Sequence, residues 1–421
     1  MLQPKLRFKG FEKEWEEEKL GKISDVSKLA GFEFTDYVTY EETGKIIALR
    51  GLNIKNNKLD LNDVKYIDKS NFSKLERSRL YKDDLMFTYV GTIGEVALIP
   101  ENDKYYLAPN VCRIRVIPKI NARYLLFIFN SPSIKNEIYK YLTITSQPAL
   151  SMENIRKFSI KVPILKEQKK IADFLSSVDV KINLTENKLE LLKEYKKGIM
   201  QKIFSQELRF KDSNGNAYPK WEEKKFNEVF SFLQNNTFSR ECLTTEKQEV
   251  QNIHYGDILT KYNNILKITN DIPYIKKEYN LSKFSEESFL KTGDIIIADT
   301  AEDFTVGKAI EISNTKKKKV LSGLHTFACR TNFNFAFGYL GQYLNSNQYH
   351  LQLYFFVTGI KVSSISKHSI KDTKLFFPKN EKEQKKIADF LSSIDTKIEK
   401  LSDELENLKE FKKGLLQQMF V

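Results

Sequence analysis

Glu167-Gln168-Lys169-Lys170-Ile171-Ala172-Asp173-Phe174-Leu175-Ser176-Ser177 recurs letter for letter at Glu383–Ser393. The match continues without a gap at an offset of 216, and 24 of 38 positions in 167–204 and 383–420 are identical. A repeat at fixed spacing dictates architecture before any single residue does. Within each copy the apolar positions step by four and three. The first runs Ile171, Leu175, Val178, Ile182, Leu189, Leu192, Ile199 and Ile203, with Thr185 and Lys196 in the interrupted slots. The second runs Ile387, Leu391, Ile394, Ile398, Leu401, Leu405, Leu408, Leu415 and Met419, interrupted once by Lys412. Such a row sustained over four to five heptads predicts coiled-coil helices, each about 57 Å long at 1.5 Å per residue. Two near-identical seams with a domain-sized segment between them are buried most simply by packing on each other antiparallel about a pseudo-two-fold axis.

The segments outside the helices repeat in outline. Leu6-Arg7-Phe8-Lys9 leads to Trp15-Glu16-Glu17-Glu18-Lys19, and Leu208-Arg209-Phe210-Lys211 leads to Trp221-Glu222-Glu223-Lys224-Lys225. Gly91–Ile99 has an echo in Thr305–Ile312, Val111-Cys112-Arg113 in Ala328-Cys329-Arg330, and each module ends at a proline, Pro163 or Pro378. The expected domains are therefore 1–163 and 208–378, with helical spacers at 164–207 and 379–421. Short β-branched and aromatic runs predict strands at Lys45–Leu49, Asp84–Tyr89, Glu95–Ile99 and Cys112–Ile117, and again at Asp294–Ala298, Lys308–Ile312 and Thr326–Arg330. Helical patterns follow at Asn121–Phe129 with Ile134–Tyr141, and at Ala336–Leu344 with Gln348–Phe355. Each module reads as α+β. A shared scaffold with diverged content suggests one task performed on two targets.

Composition narrows the task. The 421 residues carry a net charge of +13, which favours a polyanionic partner. No run of 18 apolar residues and no signal peptide is evident, so a cytoplasmic location is expected. Three cysteines, Cys112, Cys242 and Cys329, are too few and scattered for a disulfide framework. Catalytic signatures are missing. There is no phosphate-binding G-x-x-x-x-G-K-[ST] loop, no G-x-G-x-x-G, no Pro-Pro-aromatic loop of an adenine methyltransferase, and no cluster among His254, His325, His350 and His368. A nuclease-like string, Asp212 with Glu223 and Lys225, has no complete counterpart in the first module. The chain is read as a non-catalytic binder that holds no metal.

Pro4-x-Leu6-Arg7-Phe8-x-x-Phe11-x-x-x-Trp15, the Asp84–Phe87 and Gly91–Ile99 blocks, their partners Gly293-Asp294-Ile295 and Thr305–Ile312, and the Glu-Gln-x-x-Ile-Ala-x-x-Leu helix start resemble the specificity subunits of type I restriction–modification systems. The resemblance spans the chain in order and in both copies. It implies two target recognition domains separated by an antiparallel coiled coil. It further implies double-stranded DNA, two methyltransferase subunits and restriction (translocase/nuclease) subunits as partners, with S-adenosylmethionine, ATP and Mg on those partners and no cofactor on this chain. Two departures stand out: Ser213-Asn214-Gly215-Asn216 is inserted before Trp221, and Ala301–Phe304 replaces Tyr89-Val90-Gly91. Within this reading, Arg50, Thr88, Tyr89, Thr92, Thr145, Ser146 and Gln147 are the expected DNA contacts of the first module. Thr300, Glu302, Asp303, Thr305, His325 and Lys361 are those of the second. All sit at strand ends or in loops beside the repeated blocks, where side chains can reach base edges. Lys316–Lys319 reads as a solvated turn or a non-specific phosphate contact.

Overall fold

The computed structural model describes residues 3–142, 148–303, 305–315, 318–359 and 362–420. Their contacts divide the chain into two compact units, Met1–Asn187 with Asp403–Val421, and Lys188–Ser402. In the first unit, strand Glu16–Lys19 pairs antiparallel with Ser159–Val162, the strand that runs into Pro163. This closes the module directly before the helix Leu165–Phe204. Its main sheet is antiparallel, in the order Ser24–Lys28, Val111–Val116, Leu85–Thr88, Val96–Leu98. A second sheet sets Ile47–Leu49 between Lys65–Tyr66 and Tyr105–Leu107, the last pairing being parallel. Helices Ala122–Phe129 and Pro132–Tyr141 follow.

The second unit repeats the plan. Glu222–Lys225 pairs with Lys374–Phe377 ahead of the helix Glu381–Met419. The sheet Phe230–Phe232, Thr326–Thr331, Ile295–Ala298, Ala309–Ser313 gains a fifth strand, Ile265–Lys267. A smaller sheet again holds a parallel pair, Val250–Ile253 with Lys319–Ser322. The helix expected over Ala336–Leu344 begins only at Tyr339. Gly338 precedes it at φ +84°, a left-handed turn that the helix cannot include. The buried Glu311 accepts the Gly338 and Gly341 N–H groups at 2.8 Å each, and burial raises its pKa to about 7. The expected insertion at Ser213–Asn216 is a tight hairpin held by Asp212, with Lys211 bridging Ala217. Cys112 and Cys329 are fully buried thiols, and burial pushes both well above the ordinary thiol range.

The identical helix openings have a physical cause, visible once in each unit. Glu167 is 1% exposed and accepts Arg7 Nε at 2.7 Å, Arg7 Nη2 at 2.9 Å and Trp15 Nε1 at 3.3 Å. Glu383 does the same with Arg209 at 2.8 Å and Trp221 Nε1 at 3.2 Å. The next residue clamps the module's last proline. Gln168 donates to Pro163 O and accepts Asn121 N, while Gln384 donates to Pro378 O and accepts Ala336 N. A buried carboxylate is tolerated only when paired and fully hydrogen-bonded. Arginine, tryptophan, glutamate and glutamine therefore recur together.

Below these clamps the seams enter the module cores. In the first unit Ile171, Leu175, Val178 and Ile182 are buried with Phe87, Tyr124, Phe129, Leu415 and Met419, and Leu405 and Leu408 pack against them. In the second, Ile387, Leu391 and Ile394 are buried with Ile203, Phe204, Phe226, Tyr339 and Tyr343, and Leu192 and Ile398 pack alongside; Leu189 is buried too. The seam lysines have partners. Lys412 reaches Asp179 at 2.5 Å in the first unit, and Lys196 reaches Asp395 at 2.5 Å in the second. These are the same pair under the 216-residue offset.

Removing a single partner from a buried, hydrogen-bonded pair costs about 3–5 kcal/mol. E167A should therefore lower the stability of its unit by about that much in urea denaturation, and E383A should do so in the other unit. E167Q keeps an acceptor for Trp15 and should cost less. A loss below about 1 kcal/mol for both alanine variants would contradict the clamp.

Candidate nucleic-acid interface

In each unit the parallel strand pair ends at an edge whose following turns carry the diverged polar residues. In the first unit Leu49 and Leu107 are paired, and Ala108 N–H donates to Leu49 O at 3.1 Å. In the second Ile253 and Ser322 are paired, and Gly323 N–H donates to Ile253 O at 2.9 Å. Arg50 and Asn110 thus occupy the places taken by His254 and His325. The carboxyl ends of adjacent parallel strands are a recurrent place for ligands, because the connecting turns diverge there and leave backbone groups and side chains accessible.

The main-sheet register fixes the rest of the edge. Thr88 opposes Val111 and Ala298 opposes Thr326. Tyr89 N–H donates to Asn110 O at 3.2 Å, as Asp299 N–H does to His325 O at 3.1 Å. Asp299-Thr300-Ala301 therefore stands where Tyr89-Val90-Gly91 stands in the first unit. The expected replacement, Ala301–Phe304, lies two residues further along, because the second loop is three residues longer before Gly307.

The structure brings Arg50, Thr92 and Asn110 together with Tyr40, Gly51, Val90 and Glu95 around an open hollow of about 680 Å³. Arg50 is not free: its Nη2 holds Asp63 Oδ1 at 2.7 Å and Asp63 O at 2.8 Å, and its Nε is buried without a hydrogen-bond partner among the described residues. Thr92 is exposed. Thr88 is buried, and its hydroxyl bonds the Thr92 carbonyl and accepts Glu95 N–H at 3.0 Å. That geometry shapes the loop and leaves no hydroxyl to present to a ligand. Tyr89 is half-buried under Lys28, whose Nζ lies 5.7 Å from the ring centroid, and desolvation raises the phenol pKa. Thr145, Ser146 and Gln147 lie outside the described residues.

In the second unit Thr300 and His325 meet. Thr300 Oγ1 donates to Asp299 Oδ1 at 2.7 Å and lies 3.3 Å from His325 Nδ1, while Asp299 Oδ1 is 3.4 Å from the same nitrogen. With the hydroxyl proton spent on Asp299, both oxygens face Nδ1 as acceptors. Nδ1 is thus the engaged nitrogen of the ring, and Nε2 makes no hydrogen bond among the described residues. The Tyr255 ring packs edge-on against His325 at 5.3 Å. Glu302, Asp303 and Thr305 lie on the following loop, apart from this cluster; Asp303 caps Thr305 N–H at 2.8 Å, and those hydrogen bonds from Thr305 lower its carboxyl pKa. Lys361 lies outside the described residues.

Sequence reasoning missed Tyr40, Asn110, Arg240, His254 and Tyr255. The available signal was the Pro109-Asn110 turn just before the repeated Val-Cys-Arg block. His254 is buried at the head of a short helix, where its Nδ1 accepts Gly256 N–H at 3.1 Å and faces Arg240, itself paired to Asp257 at 2.6 Å. Burial first, and Arg240 second, hold its pKa below the ordinary 6.5 against the pull of Asp257. Among the described residues no group of three or more His, Cys, Asp or Glu side chains is gathered for a metal ion.

With this geometry in place, comparison with known proteins is specific. The model of the type I restriction modification DNA specificity domain matches twice, at residues 12–194 and 218–410. The chain belongs to this family of type I restriction–modification specificity subunits, whose work is recognition of DNA sequence. It is 26% identical over 382 residues to the putative type I restriction enzyme MjaX specificity subunit of Methanocaldococcus jannaschii, covering 86% of this chain and 83% of that protein. It is 24% identical over 168 residues to the EcoBI specificity subunit of Escherichia coli, covering 38% and 35%. In fold it is similar to the crystallised S subunit from M. genitalium, with a TM-score of 0.58 at 14% identity over 100% of this chain and 99% of that one.

His254 yields a pH signature. The folded chain keeps it neutral, whereas the unfolded chain protonates it near the ordinary 6.5. The stability of the neutral ring is complete above that value and is lost progressively below it, as pH falls through the lower folded pKa. Urea midpoints at pH 7.5 and 5.5 should therefore diverge more for wild type than for H254N, whose side chain can still accept the Gly256 N–H. Equal acid sensitivity in the two chains would refute the assignment. His350, also depressed by burial, acts in both and cancels.

Proposed function

We propose that each globular part of this chain reads one half of an asymmetric, bipartite DNA target, and that its two long helices scaffold the subunits that do the chemistry. The observation that carries this is the pair of equivalent edges: one backbone arrangement, with Arg50, Thr92 and Asn110 in one unit and His254, Thr300 and His325 in the other. Phosphate contacts by Lys and Arg would position each part, and the diverged polar side chains would select bases. The half-sites would lie about one helical turn apart, as for dimeric readers. The proposed recognition domains are 1–163 and 208–378, with spacers at 164–207 and 379–421. Beyond Asn110 and His254, the proposed contacts keep Thr145, Ser146, Gln147, Glu302, Asp303, Thr305 and Lys361. Tyr89 and Thr88 take supporting places.

The helices are proposed to pair antiparallel along their seams as one intramolecular coiled coil. The pairs Lys412–Asp179 and Lys196–Asp395, each inside its own unit, support this, as do Lys409–Glu186 at 2.8 Å and Lys181–Glu404 at 2.8 Å. Polar pairs at seam positions favour one register over its neighbours. A scaffolding role fits the apolar surface left exposed on the first long helix within each unit, at Val180 and Leu184 in the first and at Leu191 and Tyr195 in the second. Two methyltransferase subunits, carrying S-adenosylmethionine, and restriction subunits, carrying ATP and Mg, are the proposed partners in a cytoplasmic complex.

The test is competition. With its methyltransferase subunit, the chain should methylate and retain one bipartite duplex against excess random duplex. Affinity should fall steeply with salt, through release of counterions from several phosphates. Equal retention of random duplex, or the same methylation by the partner without this chain, would contradict the reading. For the coil, cysteine pairs at Ile171 with Met419 and at Ile203 with Ile387, on a background lacking the native cysteines, should crosslink within one chain. Crosslinks formed only between chains would refute the antiparallel pairing.

A further inference from the structure

We infer that the left-handed residue at the equivalent turn of each unit, Asn110 in the first and His325 in the second, is the side chain that sets one base pair of its half-site. The inference rests on the reading of the chain as a two-part DNA reader.

Four observations lead to it. Both residues have positive φ, +72° for Asn110 and +55° for His325, a region costly for a residue with a Cβ. Neighbouring loops meet such angles with glycine, at Gly91, Gly94 and Gly307, and turns elsewhere in the chain also use asparagine and aspartate, as at Asn56 and Asp103. Asn110 and His325 differ from those residues in standing at one equivalent position in both units. Strain kept at one equivalent position in both units is a signature of function, provided something independent supports it. Exposure is the second observation, since both side chains face solvent at the carboxyl ends of the parallel strands.

The third is what surrounds them. The Asn110 amide has no hydrogen-bond partner among the described residues and borders the hollow shared with Arg50, Tyr40 and Thr92. The His325 ring is held by Thr300, Asp299 and Tyr255 on its Nδ1 side and face, and its Nε2 makes no hydrogen bond among the described residues. The fourth is chemical. An asparagine amide offers the donor and acceptor that match N7 and N6 of adenine in the major groove, whereas an imidazole offers a single nitrogen at its tip. One backbone position carrying two different reading groups is what a pair of unlike half-sites requires.

The experiment uses the full chain in complex with its methyltransferase subunit, and reads modified bases across genomic DNA for wild type, N110G and H325G. Glycine suits the left-handed turn, so both variants should melt at or above the wild-type temperature. N110G should lose at least tenfold of its discrimination at one base pair, expected to be A·T, in one half-site only. H325G should do the same in the other half. A lowered melting temperature would make the residue a structural one and overturn the inference, as would loss in both halves or unchanged selectivity at every position. If the wild-type complex modifies a bipartite target while N110G and H325G match it, only this inference fails. If wild type shows no defined target, the underlying reading fails with it.

Discussion

A carboxylate buried in the first turn of a long helix is the constraint on which each half of this protein depends. Glu167 and Glu383 have almost no access to water, and each is paired with an arginine and hydrogen-bonded by a tryptophan that precede it by about 150 to 175 residues in sequence. A lone charge there would cost several kcal/mol, whereas the paired and hydrogen-bonded one fixes where the module begins, where it ends and how its helix leaves. The neighbouring glutamine adds the final proline and the head of the first domain helix. Because every member of this network is needed for the others to be satisfied, the motif has been retained as a set in both copies while the surrounding surface has changed.

The same division between fixed frame and variable edge accounts for what could be read from sequence. The seams were legible because helical period and burial coincide: Ile171, Leu175, Ile387 and Leu391 are nearly inaccessible. The strands at Leu85–Thr88, Val96–Leu98 and Ile295–Ala298 were legible because they are short apolar runs between turn residues. The parallel pairs were not. The strand at Ile47–Leu49 was expected within Lys45–Leu49, but its partner lies more than fifty residues away and no local pattern announces that pairing. Without that pairing Arg50 could be picked out as a strand-end residue, yet nothing linked it to Asn110. The alignment of Ala301–Phe304 slipped for a similar reason, since backbone register, not letter similarity, sets which residue stands over the turn.

The candidate interface shows how a common scaffold can accept different targets at little structural cost. Thr88 ties its loop through its own hydroxyl, whereas the second unit ties the equivalent strand end through Asp299 and Thr300. Glu311 replaces a leucine of the first unit and holds a helix start with two N–H bonds. Each substitution satisfies its buried polar atoms locally, so each can change without disturbing the clamp at Glu167 or Glu383. Under the proposed function, this locality would let the two domains read their half-sites independently.

That independence is the central claim, and exchange of one domain tests it most directly. Residues 208–378 would be replaced by the equivalent segment of a relative with a different target, and the modified bases of a host expressing the chimera with its methyltransferase would be mapped. The account predicts that one half of the bipartite sequence changes while the other half and the spacing between them stay as in wild type. A change in both halves, or in the spacing alone, would contradict it.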